Sequence, residues 1–289
     1  MPMELNSSQL QAVHHKDGPM LVCAGPGSGK TAVMIRRVDR LIRTCHIPPE
    51  QILVVTFTRA AALEMEQRYL KLPDQDGSTP LFGTFHSIFL RMLKTFGICV
   101  SSHILTEKEK HQLIYRELSG SFPLQEDQDY ILQMFFNDVS RMKNSCIPAR
   151  EYIPVSMERN LFLEFVTCYQ KKCRDLKLMD YDDILILTNH HLHTNAAFLN
   201  YWQRRFSWFL IDEFQDVNQL QYQSLRLLAS AASNLFAVGD DDQSIYRFRG
   251  SSPDIMKQFL SDYPDCARVT LEQNYRSPNR ILIPAVNLI

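Results

Sequence analysis

The sequence has no surplus of charge of either sign: 31 Lys and Arg stand against 32 Asp and Glu, a formal net charge of −1. A polyanion binder with that balance must gather its cations locally. None of the seven cysteines forms a CxxC pair, which excludes a zinc site of the usual spacing. Cys23, Cys45, Cys99, Cys146, Cys168, Cys173 and Cys266 are scattered instead, as suits reduced thiols in a cytosol. Cys168 and Cys173 fall on different helix faces, so no link between them is expected. No apolar run reaches the roughly 18 residues of a membrane helix. No secretory signal precedes Asn6, and no internal repeat or low-complexity segment stands out. The expectation is a cytoplasmic protein with no membrane partner. What is present is ordinary globular composition, 45% hydrophobic and 22% charged over 289 residues. That length suits two ordinary domains or one large domain with an insertion.

The first third alternates short apolar runs with helical spacing. Met20 to Ala24, Ile52 to Phe57 and Leu81 to Phe85 read as buried strands. Helices are expected after Lys30, over Ala60–Leu70 and over about Ser87–Phe96. From about Thr106 to Asp180 strand-type runs stop, and helical patterns occupy Glu107–Leu118, Asp127–Lys143 and Met157–Asp175. Alternation then returns with strands at Trp208–Asp212, Leu235–Gly239 and Arg268–Leu271, and helices at Gln219–Ala231 and Pro253–Tyr263. This order predicts an α/β fold, a parallel sheet built from βαβ units. An all-helical inserted subdomain at 106–178 interrupts it, between a first part at 1–105 and a second at 179–289.

AGPGSGKT, Ala24 to Thr31, lies where a strand gives way to a helix. Gly25, Gly27 and Gly29 permit backbone angles and close approach denied to residues with a Cβ. Ala24, Gly25, Pro26, Gly27, Ser28 and Gly29 can therefore turn successive N–H groups toward phosphate oxygens at the positive end of a helix. Lys30 reaches the β- and γ-phosphates in such a P-loop, and the Thr31 hydroxyl ligates Mg²⁺. A second acidic motif narrows the chemistry. The apolar strand WFLI runs into Asp212-Glu213. Asp212 can hold Mg²⁺, and Glu213 can orient and deprotonate an attacking water. The pair suits hydrolysis more than transfer to a second substrate.

Taken in order, the motif blocks resemble the UvrD/Rep family of superfamily 1 DNA helicases. LNSSQLQAV (Leu5–Val13) is similar to the Q-motif, and AGPGSGKT to the first helicase motif. VVTFTRAAALEM (Val54–Met65), GTFHS (Gly83–Ser87), DYDDIL (Asp180–Leu185), IDEFQDVN, VGDDDQSIYRFRGSSP (Val238–Pro253) and LEQNYRS (Leu271–Ser277) continue the series. The resemblance implies a RecA-like P-loop NTPase domain, ATP and Mg²⁺ as cofactors, and single-stranded DNA with a duplex junction as partner. It places Gln9 where the family reads the adenine edge, and Tyr275 where a ring stacks on adenine. It places Gln243 where an amide senses the γ-phosphate, and Arg276 where a guanidinium contacts it. For DNA it points to Thr56, Phe57, Arg59, Phe85, His86, Tyr246, Phe248 and Arg249, a mixture of stacking rings and cations. Two positions depart from the family pattern. Arg59-Ala60 stands where Asn followed by Lys or Arg is frequent, and Phe248 where Trp is frequent.

The chain ends at Ile289, a few residues past LEQNYRS. The resemblance implies a second RecA-like lobe beyond that point, and translocation 3′ to 5′ by two lobes closing around ATP. The expectation is the N-terminal half of a motor, able to bind ATP but not to unwind. Two alternatives are an ATP-dependent interaction module and a P-loop ATPase acting on something other than nucleic acid. Glu213, Gln243 and Arg276 together speak against the first, and the GTFHS and SIYRFRG blocks against the second. His190, His191 and His193 are expected to form a solvated cluster after a helix.

Overall fold

Six strands form one parallel sheet in the computed structural model, which describes residues 5–73, 77–98, 103–121, 128–240 and 254–277, with no side-chain description for 116–121 and 128. The strands are β1 (Met20–Ala24), β2 (Ile52–Thr56), β3 (Leu81–Thr84), β4 (Trp208–Ile211), β5 (Asn234–Gly239) and β6 (Ala267–Leu271). Their order is β3-β2-β4-β5-β1-β6. The apolar runs of β1, β2, β4 and β5 are expected when helices cover both sheet faces, and edge strand β6 alternates instead. The period of two sorts them cleanly. Leu21, Leu53, Val55, Phe209, Ile211, Leu235 and Ala237 enter one core. Met20, Val22, Ile52, Val54, Trp208, Leu210, Phe236 and Val238 enter the other.

The second core is covered by α1 (Ser7–His14), α2 (Lys30–Arg43) and α3 (Arg59–Leu70). The first is covered by α4 (Phe85–Thr95), α8 (Tyr181–Thr194), α9 (Ala196–Arg205), α10 (Gln219–Ala229) and α11 (Ile255–Asp262). Between α4 and α8 the chain leaves the sheet. There α5 (Glu107–Ser121), α6 (Gln128–Asn144) and α7 (Arg159–Asp175) pack around a third cluster that includes Ile114, Phe135, Phe162 and Tyr169. Lys143, at the end of α6, is buried and paired with Asp180 at 2.8 Å and Asp183 at 2.7 Å, at the start of α8.

Several boundaries differ from the sequence expectation. β2, β3 and β4 stop at Thr56, Thr84 and Ile211, one residue short of Phe57, Phe85 and Asp212. At Thr84 the reason is a capping box: its hydroxyl accepts the Ser87 N–H while the Ser87 hydroxyl accepts the Thr84 N–H, so α4 starts at Phe85 rather than near Ser87. His190, His191 and His193 lie inside α8, not after a helix. Asn, His and Thr are weak helix formers that read as loop, but buried Leu185, Thr188 and Leu192 hold the helix through them. α9 carried no expectation; Phe198 and Trp202, one turn apart, bury it.

Arg37 on α2 is a large buried side chain that charge patterning does not reveal. Its guanidinium donates to the carbonyls of His15 at 2.9 Å, Ala12 at 3.3 Å, and Val13 and Lys16 at 3.4 Å. It lies over the Phe236 ring at 4.5 Å. It thus closes the C-terminal end of α1, where helix carbonyls are left unpaired. Burial pulls its pKa down to about 10, still charged at neutral pH. Arg37→Met keeps the apolar stem and strands those carbonyls. It should cost about 2 kcal/mol in denaturant unfolding and speed amide exchange in α1 first.

Candidate functional site

Because all six strands are parallel, their C-terminal ends share one edge, and the loops leaving it carry the candidate residues. From β1 the phosphate loop runs from Ala24 through Gly25 and Pro26 to α2. Gly27 and Gly29 take φ of 70° and 89°, left-handed values that a Cβ resists. The Ser28 hydroxyl donates to the Gly25 carbonyl at 2.7 Å, closing the loop on itself. Lys30 and Thr31 occupy the first turn of α2.

Two strands away, β4 delivers the acidic pair. The Lys30 ammonium sits 3.2 Å from Glu213 Oε2. Glu213 holds φ 49°, a left-handed conformation costly for a residue with a Cβ. Gln215 bridges: its Nε2 donates to Glu213 Oε2 at 2.9 Å, and its Oε1 accepts the Asp240 N–H at 3.0 Å. Gly239 permits this, since a Cβ there would lie 2.8 Å from Gln215 Oε1. Asp212 and Asp216 are buried, and each has one carboxylate oxygen with no hydrogen-bond partner. Burial, reinforced by the Glu213 charge, pushes Asp212 up to about 7 and Asp216 up to about 6, against the pull of Lys30.

A stability prediction follows from Asp212. Its ordinary value is 3.8, so between about 4 and 7 the folded chain keeps a proton that the unfolded chain releases. Stability therefore falls as pH rises through that window. Asp212→Asn should raise Tm at pH 8 by several degrees and leave it nearly unchanged at pH 4, read by calorimetry across pH.

The far wall is made by α1 and the segment after β6. Gln9 is buried. Its Oε1 accepts the Asn6 N–H at 3.0 Å and its Nε2 donates to the Ser28 carbonyl at 2.9 Å. Tyr275 donates its N–H to the Gly27 carbonyl at 2.8 Å, and its hydroxyl accepts from Asn6 Nδ2 at 2.9 Å. Asn274 donates to the Pro26 carbonyl at 2.6 Å and accepts the Arg276 N–H at 2.8 Å. The Arg276 side chain is exposed, with its Cβ beside Gly27.

A cleft of about 530 Å³ adjoins the acidic side; Thr56, Phe57, Phe85, His86, Tyr181 and Asp216 are among its walls. α6 supplies Asn137 and Ser140 opposite. The His86 ring meets Tyr181 edge-on at 5.9 Å, and burial lowers its pKa, favouring the neutral ring. Phe85 is largely core, edge-on to Phe89 at 5.7 Å. Arg59 is exposed at the start of α3 and lies outside the cleft lining. Gln243, Tyr246, Phe248 and Arg249 lie outside the described residues. A larger apolar pocket of about 690 Å³, between α6, α7 and α8, includes none of the phosphate-loop residues.

Sequence reasoning passed over Gln215, Asp216 and Asn274. DEFQD and QNYRS were visible, but which amide bridges to which carbonyl depends on chain brought in from other strands. No helix among the described residues is long and apolar enough to cross a membrane.

The family model for the UvrD/REP helicase N-terminal domain matches residues 5–264. YjcD of Bacillus subtilis (strain 168) is 37% identical over 97% of this chain and 38% of its own length. The protein named ATP-dependent DNA helicase PcrA from Leuconostoc citreum is 33% identical over 96% of this chain and 38% of its own. ATP-dependent DNA helicase Rep of Escherichia coli (strain K12) is 34% identical over 99% of this chain and 43% of its own. The chain thus spans about two fifths of the length of these relatives. With a glycine phosphate loop facing an Asp-Glu pair on one parallel-sheet edge, and with the family model covering most of its length, the chain belongs to the UvrD/REP helicase N-terminal domain family.

Proposed function

We propose that the chain is the ATP-binding part of an ATP-dependent DNA helicase or translocase moving 3′ to 5′. It binds ATP with Mg²⁺ at the phosphate loop and single-stranded DNA, near a duplex junction, along the cleft that includes Phe57 and His86. The observation that carries this reading is the Lys30–Glu213 pair at 3.2 Å beside the buried, unpartnered Asp212 Oδ1. A buried acceptor with no donor is costly unless a cation takes it. Asp212 and Thr31 would hold Mg²⁺, which when bound neutralises charge on the phosphate oxygens. ATP draws Lys30 to its β- and γ-phosphates and releases Glu213. Glu213, still held by Gln215, takes a proton from the attacking water as the β–γ bridging bond breaks, giving ADP and inorganic phosphate. Arg276 and Gln243 are assigned to the γ-phosphate, and Gln9 and Tyr275 to adenine. Residues 106–178 are assigned to a helical subdomain forming one side of the DNA path.

Because its relatives are more than twice its length, the chain is proposed to work with a second RecA-like lobe and to bind ATP without unwinding by itself. Equilibrium binding tests this. ATP should bind in a Mg²⁺-dependent manner and more tightly than GTP, and fluorescent single-stranded DNA should bind with a salt-dependent affinity. No ATP binding would refute the nucleotide assignment. DNA binding unchanged when His86 and Phe57 are both replaced by alanine would refute the cleft assignment. Unwinding by the 289-residue chain alone would refute its incompleteness.

A further inference from the structure

Three successive peptide units of the phosphate loop have their carbonyls captured from outside the loop. The Pro26 carbonyl accepts from the Asn274 side chain at 2.6 Å. The Gly27 carbonyl accepts from the Tyr275 backbone at 2.8 Å. The Ser28 carbonyl accepts from the Gln9 side chain at 2.9 Å. A trans peptide is planar, with its C=O and N–H pointing in opposite directions. Pinning these carbonyls therefore turns the N–H groups of Gly27, Ser28 and Gly29 away from α1 and the β6 segment. The Ser28 N–H is partly engaged within the loop, reaching the Gly25 carbonyl at 3.3 Å. Among the described residues, neither the Gly27 nor the Gly29 N–H has an acceptor in the chain.

The arrangement is sterically committed as well. A Cβ on Gly27 would lie 2.7 Å from Arg276 Cβ and 2.8 Å from Asn274 Oδ1, and one on Gly29 would lie 2.7 Å from Gln9 Nε2. Both glycines hold left-handed φ, so the braces approach closest where the backbone is least ordinary. Asn274 Oδ1 meanwhile accepts the N–H groups of Arg276 at 2.8 Å and Ser277 at 2.9 Å, so one side chain sets both the loop and the start of the segment bearing Arg276.

We propose that Gln9, Asn274 and the Tyr275 backbone form an outer brace that presets these peptide planes, so the loop is a ready-made nest for a triphosphate and does not need the base to shape it. Gln9 and Asn274 are then positioning residues, acting through the amides of Gly27 and Gly29. The inference rests on the reading that the loop binds a triphosphate and adds a role for Gln9 independent of adenine.

The test is calorimetric titration of the full chain with inorganic tripolyphosphate, which has no base, beside ATP, both with Mg²⁺. Wild-type protein should bind both. Gln9→Met and Asn274→Ala should each weaken tripolyphosphate by about tenfold, the loss of roughly one charge-assisted hydrogen bond. Asn274→Asp retains the acceptor for Arg276 and Ser277 but not the donor to Pro26, and should be weakened at least as much; it serves where the alanine variant folds poorly. A role confined to adenine would leave the tripolyphosphate affinity of Gln9→Met unchanged. A merely structural role would lower Tm without changing affinity in the folded range. Either result overturns the brace, as does failure of wild-type protein to bind tripolyphosphate. Lys30→Ala separates the two levels. If it still binds ATP, the triphosphate reading itself fails; if it does not, while Gln9→Met and Asn274→Ala bind tripolyphosphate normally, only the brace fails.

Discussion

ATP binding should be lost when Lys30 is replaced by alanine, with affinity falling at least about a hundredfold, the worth of roughly 3 kcal/mol. The ammonium lies 3.2 Å from Glu213, and it moderates Asp212 and Asp216 as well. Removing it takes away the charge proposed to meet the β- and γ-phosphates. Among the described residues, it also leaves Glu213, Asp212 and Asp216 close together without the cation that lowers the two Asp values. The variant should therefore be less stable at pH 8 than at pH 5, by a wider margin than the wild type. The sign follows from both shifted carboxyls: with folded values raised to about 7 and about 6, each destabilises as pH climbs above its ordinary 3.8. Isothermal titration with ATP reads the first effect and thermal unfolding across pH the second. Near wild-type ATP affinity in a folded Lys30→Ala protein would remove the basis for the phosphate-loop assignment. A stability profile parallel to wild type would show that Lys30 does not moderate the carboxylates.

What could be read from the chain alone was whatever local chemistry compels. AGPGSGKT needs its glycines because left-handed φ is needed at Gly27 and Gly29, and that requirement is written in residue type. The inner strands β1, β2 and β4 were legible because parallel strands covered on both faces are apolar nearly throughout, whereas edge strand β6 alternates, with Arg268 and Thr270 exposed. The helical stretch between α4 and α8 was legible because its residues repeat at helical spacing. Gln9 shows the limit. Residue type and motif point to adenine, yet both ends of its amide are held by protein, at Asn6 and Ser28. Those partners depend on how α1 packs on α2, which in turn depends on buried Arg37 gripping carbonyls at the end of α1. Nothing in the local pattern of either helix encodes that grip. Gln215 and Asn274 were opaque for the same reason: a buried amide is defined by its partners, and theirs come from strands distant in sequence.

Lys143→Met should cost about 3–5 kcal/mol of folding stability, the usual penalty for leaving buried carboxylates without their cation. Lys143 is buried, bonded to Asp180 at 2.8 Å and Asp183 at 2.7 Å. Asp180 also accepts the Tyr169 hydroxyl at 2.9 Å. Burial works against the charge on all three groups. The two carboxylates more than offset it for Lys143, whose pKa ends raised, and the ammonium more than offsets it for Asp180, whose pKa ends lowered. Asp183, sharing the same cation with Asp180, ends raised. Once the ammonium is gone, burial acts on both carboxylates against only their backbone hydrogen bonds and, for Asp180, Lys110 and the Tyr169 hydroxyl, and it raises both. The penalty then grows as pH climbs above their ordinary values and shrinks toward pH 4, where both become neutral. Denaturant unfolding of Lys143→Met at pH 4 and pH 7.5 measures this. The triple variant Lys143→Met, Asp180→Asn, Asp183→Asn should recover most of the loss at pH 7.5, because the stranded charges go too. A pH-independent loss, or no recovery in the triple variant, would make Lys143 a packing residue rather than a counter-charge. The site lies at a junction. Beside Lys143, Asn144 Nδ2 donates to Asp182 at 2.9 Å and its Oδ1 accepts from Asn218 at 3.1 Å. The end of α6 is thereby tied both to α8 and to the segment following Glu213 and Asp216. ATP affinity should survive Lys143→Met, since Lys143 is bonded to none of the phosphate-loop residues. DNA affinity should weaken, because Asn137, Ser140 and Asn144 of α6 face Phe57 and His86 across the cleft, and releasing the end of α6 lets that wall move.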